Sequence, residues 1–254
     1  MTAVASLAET AWTTELTFAG GDANVTLMGT SAVKRFREQA GCVQELSVLR
    51  QIPPHPCVLH PEASDEVRGV IRFQRQPRDL MQALMSPEPL DERPCAQGIL
   101  GALLHLQRIC LVHRDVKPEN ILVTEQGTPM FCDFARALFA PAPLRISFSG
   151  TRTYAAPEAL RGTCCLGNDV WSTGMVLFCL FERLFPFDED DVPPRETWGP
   201  AVRPEVQYNE VVWLSPYASE VRQLVDAMLH ADEQSRAPPA ALRSFVERHR
   251  SALC

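Results

Sequence analysis

The chain has no basic block. Its 24 lysines and arginines stand against 31 aspartates and glutamates, for a net charge of −7. No stretch concentrates the positive charge that a nucleic acid would call for. Long hydrophobic runs are also missing. The longest wholly apolar stretch, Met175 to Phe181, is far short of the ~20 residues that cross a bilayer. The first residues, Met1 to Ala8, lack the basic start and apolar core of a secretory leader. Nine cysteines are present, an odd number, and never as Cys-x-x-Cys, which points away from a disulfide framework or a zinc site. There are no internal repeats and no low-complexity tracts. These absences lead us to expect a soluble, reduced, intracellular protein, cytoplasmic or nuclear, without membrane insertion and without a nucleic-acid partner. A chain of 254 residues can bury a large core, as one domain or two.

What is present is concentrated in one run, His113-Arg114-Asp115-Val116-Lys117-Pro118-Glu119-Asn120. It sets a carboxylate, an ammonium and an amide on one short loop. Phosphoryl transfer needs these three kinds of group: one to orient and deprotonate a hydroxyl, a cation for the developing charge, and an oxygen ligand for Mg²⁺. The run is similar to the catalytic loop of eukaryotic-type protein kinases. Further segments carry the same resemblance in the family's order. Asp133-Phe134-Ala135 looks like Asp-Phe-Gly, with a short apolar strand, Met130 to Cys132, before it. The stretch Gly150 to Glu158, ending Ala156-Pro157-Glu158, looks like the close of an activation segment. Asn168 to Gly174 resembles the start of a buried central helix, and Asp232 to Arg236 the stretch whose arginine pairs with that glutamate. Ala32-Val33-Lys34 looks like the strand bearing the ATP lysine. The resemblance runs from about residue 12 to residue 245, and is tightest from Asp115 onward.

The resemblance implies an α+β, bilobal protein kinase fold, with a small β-rich N-terminal lobe and a larger, mainly helical C-terminal lobe. It implies one domain over residues 1–254, divided into a reduced lobe at 1–76 and a second at 77–254. The implied activity is transfer of the γ-phosphoryl group of ATP to Ser or Thr hydroxyls of protein substrates, with Mg²⁺. In that scheme Asp115 is the base, Lys117 and Thr151 act with it, and Asn120 and Asp133 hold metal and nucleotide. Lys117 and Thr151 are the features typical of Ser/Thr rather than Tyr kinases. Glu158 and Arg236 form a buried ion pair, and Asp169 anchors the backbone of the catalytic loop. Arg114 marks kinases whose activation segment is often ordered by a phosphate. Counting back three residues from Gly150 gives Ser147 as its site, with Ser149 the alternative.

The first lobe reads less regularly. Thr13 to Phe18 alternates like a strand, Ala19 to Asn24 is turn-rich, and Val25 to Met28 and Ser31 to Phe36 make strands about a tight turn at Gly29-Thr30. If Val25 is the valine that closes the family's glycine loop, only Gly20 falls on a glycine; Phe18 and Ala23 occupy the other two places. Gly20-Gly21-Asp22 reads equally well as a plain hairpin turn. Lys34 needs a glutamate partner from the next helix, and Glu45 in the helical stretch Gln44 to Arg50 is the candidate, Glu38 lying too near. Only eleven residues lie from Lys34 to Glu45. Similarly short stretches occur in kinases of large DNA viruses, herpesviruses among them, so a viral source, and a host-cell location with it, is the leading expectation. Val70 to Phe73 reads as a strand leading to a hinge at Gln74 to Pro77, and Ile99 to Leu111 as a helix feeding the catalytic loop. The eroded glycine loop and Ala135 keep a second function open, a pseudokinase or weakly active kinase serving as a protein-binding scaffold.

Overall fold

The computed structural model describes residues 16–183 and 219–248. They form two compact units: one from the residues up to Gln44 together with His60–Arg75, the other from Glu45–Leu59 together with Gln76 onward.

The first unit is a five-stranded sheet in the order β1-β2-β3-β5-β4. Its strands are β1 (Leu16–Ala19), β2 (Ala23–Met28), β3 (Ser31–Phe36), β4 (Pro61–Asp65) and β5 (Val70–Gln74). All neighbours are antiparallel. Gly29, at φ +57, makes the turn that sets Met28 opposite Ser31. β3 has the bounds expected from its pattern. β4, Pro-Glu-Ala-Ser-Asp, has almost no strand propensity and lies at the sheet edge, where pairing with β5 outweighs composition. The part of the expected first strand before Leu16 lies outside the described residues.

The helix α1 (Gln39–Leu49) starts five residues before the expected Gln44. Its first turns contain Gly41 and an exposed Val43, so they show no apolar period. The chain passes from one unit to the other within this helix, so Glu45 groups with the second unit and not with an N-terminal lobe ending at residue 76. The reason is visible just downstream: Leu59 N–H donates to Phe131 O and Phe131 N–H to Cys57 O, both at 2.9 Å. These bonds join residues 57–59 to the second unit.

The second unit begins with β6 (Arg78–Asp79) and α2 (Leu80–Met85). Then come α3 (Glu92–Arg108), β7 (Leu111–Val112), β8 (Ile121–Val123) and β9 (Pro129–Phe131). β10 (Leu138–Phe139), β11 (Leu144–Arg145), α4 (Pro157–Leu160), β12 (Thr163–Cys164) and α5 (Leu166–Glu182) follow. The described chain ends with α6 (Ser219–Met228) and α7 (Pro239–Arg248). α3 starts seven residues earlier than expected, capped by the Asp91 side chain. It also stops sooner, because Cys110 takes a left-handed φ of +55 and Leu111 enters a strand paired with β10.

α3 packs on α5 and α7, and α5 on α6. Leu100, Leu103, Leu106, Val176, Leu180, Val225 and Leu242 are each fully enclosed or nearly so. Each such aliphatic side chain contributes about 1.5–3 kcal/mol on burial. Every residue of α5 from Asn168 to Glu182 is buried, so it is the axis of this unit and a rigid mount for what precedes it. No described helix is long and apolar enough to cross a membrane.

Candidate active site

The loop between β7 and β8 carries the His-Arg-Asp run, and α5 shapes it. Asp169, in the first turn of α5, accepts hydrogen bonds from His113 N–H at 2.5 Å and Arg114 N–H at 3.0 Å. Burial raises the Asp169 carboxyl above its usual range, against the pull of His113 and Arg114. Arg114 takes a left-handed φ of +69, a conformation that needs such support. The His113 ring packs 4.8 Å from Phe134, and its Nε2 donates to Cys132 O at 2.9 Å. One histidine thus ties the catalytic loop to the Asp-Phe-Ala turn. It opens the motif, and the sequence alone assigns it no role.

Asp115 is held on several sides. Its Oδ1 accepts from both Thr151 N–H and Thr151 Oγ1, each at 2.8 Å. Its Oδ2 accepts from Asn120 Nδ2 at 3.1 Å and lies 3.6 Å from Lys117 Nζ. Lys117 Nζ in turn donates to Thr151 Oγ1 at 2.8 Å. Asn120 Nδ2 also donates to the Asp115 carbonyl at 2.8 Å. Both amide protons are therefore committed, which leaves Oδ1 as the atom with which Asn120 can meet a cation. Gly150 is required for this closeness: its φ is +126, and a Cβ there would collide with Arg114 O.

Asp133 has a left-handed backbone, φ +61 and ψ +70, and heads a single 3₁₀ turn at Phe134–Arg136. A non-glycine residue in this region is a local cost that re-aims a side chain. Ala135 itself lies within the turn and outside the left-handed region, so its methyl brings no backbone strain here.

Arg236 and Glu158 form a bidentate pair, with both N–O distances at 2.6 Å. Asn168 Nδ2 adds a third contact to Glu158 Oε1 at 2.6 Å, and the guanidinium lies 5.2 Å from the Trp171 ring centre. The Ser172 hydroxyl donates to Tyr154 O at 2.7 Å. Burial pushes the Cys165 and Cys179 thiols up to about 12, so neither is an available thiolate at neutral pH.

The activation segment is held by backbone contacts. β11 pairs with β12, and Ile146 N–H continues the ladder to Gly162 O at 3.1 Å. The Arg114 guanidinium donates to Ser147 O at 3.0 Å and to Arg136 O at 3.3 Å, so carbonyls satisfy it. A second basic residue, which sequence reasoning did not find, stands here: Arg136 Nη1 donates to Ser149 Oγ at 2.5 Å. The available signal was its place three residues after Asp133.

In the first unit Val25 lies opposite Lys34 on neighbouring strands, and Lys34 Nζ sits 5.1 Å from the Phe36 ring centre. Gly20 starts the hairpin turn between β1 and β2. Glu45, in the second unit, is buried at 1 % exposure.

A kinase-type constellation on an α+β fold defines a class, and the comparison with known families agrees. Residues 31–244 match the family described as protein kinase domain. The chain belongs to that family. It is 30% identical over 155 residues to MAP kinase kinase MKK1/SSP32 of Saccharomyces cerevisiae, a match covering 57% of this chain and 30% of that protein. To MAP kinase kinase skh1/pek1 of Schizosaccharomyces pombe it is 36% identical over 107 residues, 41% of this chain and 30% of that one. To cyclin-dependent kinase-like 2 of Homo sapiens it is 45% identical over 86 residues, 32% and 17% respectively. The chain spans less than a third of the length of these curated relatives.

Proposed function

We propose that the chain, as one kinase domain over residues 1–254, is a serine/threonine protein kinase that moves the γ-phosphoryl group of ATP to protein hydroxyls. The observation that carries this is the Asp115 environment. Oδ1 is saturated by Thr151, whereas Oδ2 has only a long amide contact and a distant ammonium. Oδ2 is therefore the oxygen that accepts the hydrogen bond of an incoming hydroxyl and, late in transfer, its proton. Lys117, steadied by Thr151, offers its charge to the transferring group. Lys34 holds the α- and β-phosphates, with Glu45 as its partner, and Gly20 and Val25 line the nucleotide side.

Asn120 Oδ1 and the Asp133 carboxylate are hard oxygen donors of the kind Mg²⁺ takes, so the residues present fit that ion. Bound Mg²⁺ would supply charge neutralisation at the phosphate oxygens. Glu158, Arg236 and Asp169 keep the site's geometry and touch no substrate. Arg114 and Ser147 form a regulatory pair, with Arg136 as a second cation and Ser149 as the alternative acceptor of phosphate.

A scaffold without efficient catalysis is the second reading, favoured by Phe18 and Ala23 in the hairpin. Purified protein given γ-labelled ATP, Mg²⁺ and generic protein substrates decides between them: steady labelling supports the kinase, and none supports the scaffold.

A further inference from the structure

The turn between β1 and β2 is where the chain departs furthest from the family's glycine pattern. It spans Gly20 to Asp22. Gly20 N–H donates to Ala23 O at 3.0 Å, and a Cβ on Gly20 would lie 2.6 Å from that oxygen, so only glycine fits. A Cβ on Gly21 would meet nothing within 4 Å. Arg37, just beyond β3, binds this turn twice. Its N–H donates to Asp22 O at 3.0 Å, and its guanidinium donates to Gly20 O at 3.1 Å. Two adjoining glycines make the Gly20–Gly21 peptide the least restrained plane of the hairpin. That peptide is trans, so its C=O and N–H point in opposite directions. Holding the Gly20 carbonyl on Arg37 therefore turns the Gly21 N–H to the side away from Arg37.

We propose that Arg37 is a positioning residue for the nucleotide. It fixes the Gly20–Gly21 peptide so that the Gly21 N–H is presented to a phosphate oxygen of ATP, an orientation that a loop lacking two of its three glycines would otherwise reach only part of the time. The proposal rests on the kinase reading above. Arg37 does not touch the phosphate; its side chain acts through one carbonyl.

The test measures KM for ATP, kcat and equilibrium binding of labelled ATP for wild type, Arg37→Ala, Arg37→Lys and Arg37→Ala with Gly21→Ala. Losing one hydrogen bond to an exposed carbonyl predicts a rise of about fivefold in KM and in the ATP dissociation constant, with kcat within about twofold. Arg37→Lys falls between the two. Gly21→Ala restores most of the loss, because a methyl in open space narrows the freedom of the same peptide. Unchanged ATP affinity in Arg37→Ala overturns the inference. So does a fivefold loss that Gly21→Ala leaves in place, which would mark Arg37 as a direct phosphate contact. If wild type transfers no phosphate yet binds ATP more tightly than Arg37→Ala, the kinase reading falls and the inference stands. Wild type that binds no ATP removes both.

Discussion

The catalytic loop and the β1–β2 hairpin are both short connections, and they are built by opposite means. Around Asp115, side chains from three separate stretches bond to one another. Asp169 holds the loop from behind, and Thr151, Lys117 and Asn120 surround the carboxylate. Each group has partners that lose a bond if it changes, so few residue types fit. The hairpin has mainly main-chain bonds and one guanidinium, all near the surface. Its residues can drift as long as Gly20 remains. Chemistry that depends on side-chain identity leaves a strong motif; chemistry done by backbone N–H groups leaves a weak one.

The comparison can be broken or sharpened by substitution. Lys34→Met, on the nucleotide side, should lower transfer by about 10²–10³-fold, the scale of losing a charged group at a developing phosphate charge. Glu45→Gln, whose proposed part is only to orient Lys34, should cost less, about tenfold. Steady-state kinetics checks both, and full activity in Lys34→Met would mean that the ATP lysine lies elsewhere. Glu158→Gln tests the second unit's frame. Arg236 is 2 % and Glu158 14 % exposed at the side chain, and removing one partner of so enclosed a pair costs about 3–5 kcal/mol. A fall in Tm on the order of 10 °C should follow by calorimetry. A Tm within error of wild type would mean that the guanidinium is satisfied without Glu158.

β3 was legible in the sequence from the tight turn at Gly29-Thr30, and the start of α5 from the resemblance of Asn168 to Gly174 to a buried central helix. β4 was not, because a partner strand and not its composition makes it a strand. The first turns of α1 were hidden by Gly41 and by an outward Val43. In the candidate site, Asp115, Lys117 and Asn120 stand out by their combination, and the structure brings those three together; Asp133 is singled out by its place in the motif order. His113 and Arg136 could not, because what gives them roles is spatial: a ring against Phe134, and a guanidinium beside Ser149.

The activation segment gives a smaller effect. Ser147→Ala with Ser149→Ala should reduce activity about two- to fivefold, since β11–β12 pairing and the carbonyl contacts of Arg114 already order the segment and a phosphate would add to them. Mass spectrometry of active protein should find the phosphate on one of the two serines. Full activity in the double variant would leave the segment without a phosphate switch.

Smallest is a pH effect. His55 stacks on His105 with ring centres 4.7 Å apart, and burial, then His105, lowers its pKa below 6.5. The folded state thus binds its proton less readily than the unfolded chain. The stability tied to neutral His55 is complete above pH 6.5 and is lost as the pH falls below it. Denaturant unfolding between pH 7.5 and about 5.5 should show this slope flattened in His55→Gln; an unchanged slope would clear His55 of any part in it.

The central claim, that an intact catalytic loop makes this chain an active Ser/Thr kinase despite its reduced hairpin, is tested most directly by one assay. Wild type and Asp115→Asn are incubated with γ-labelled ATP, Mg²⁺ and a generic protein substrate, and the labelled amino acids are identified after hydrolysis. The account predicts label on serine and threonine with wild type, and a loss of about 10²–10⁴-fold with Asp115→Asn at unchanged ATP binding. Equal labelling by the two proteins, or none by wild type, would contradict it.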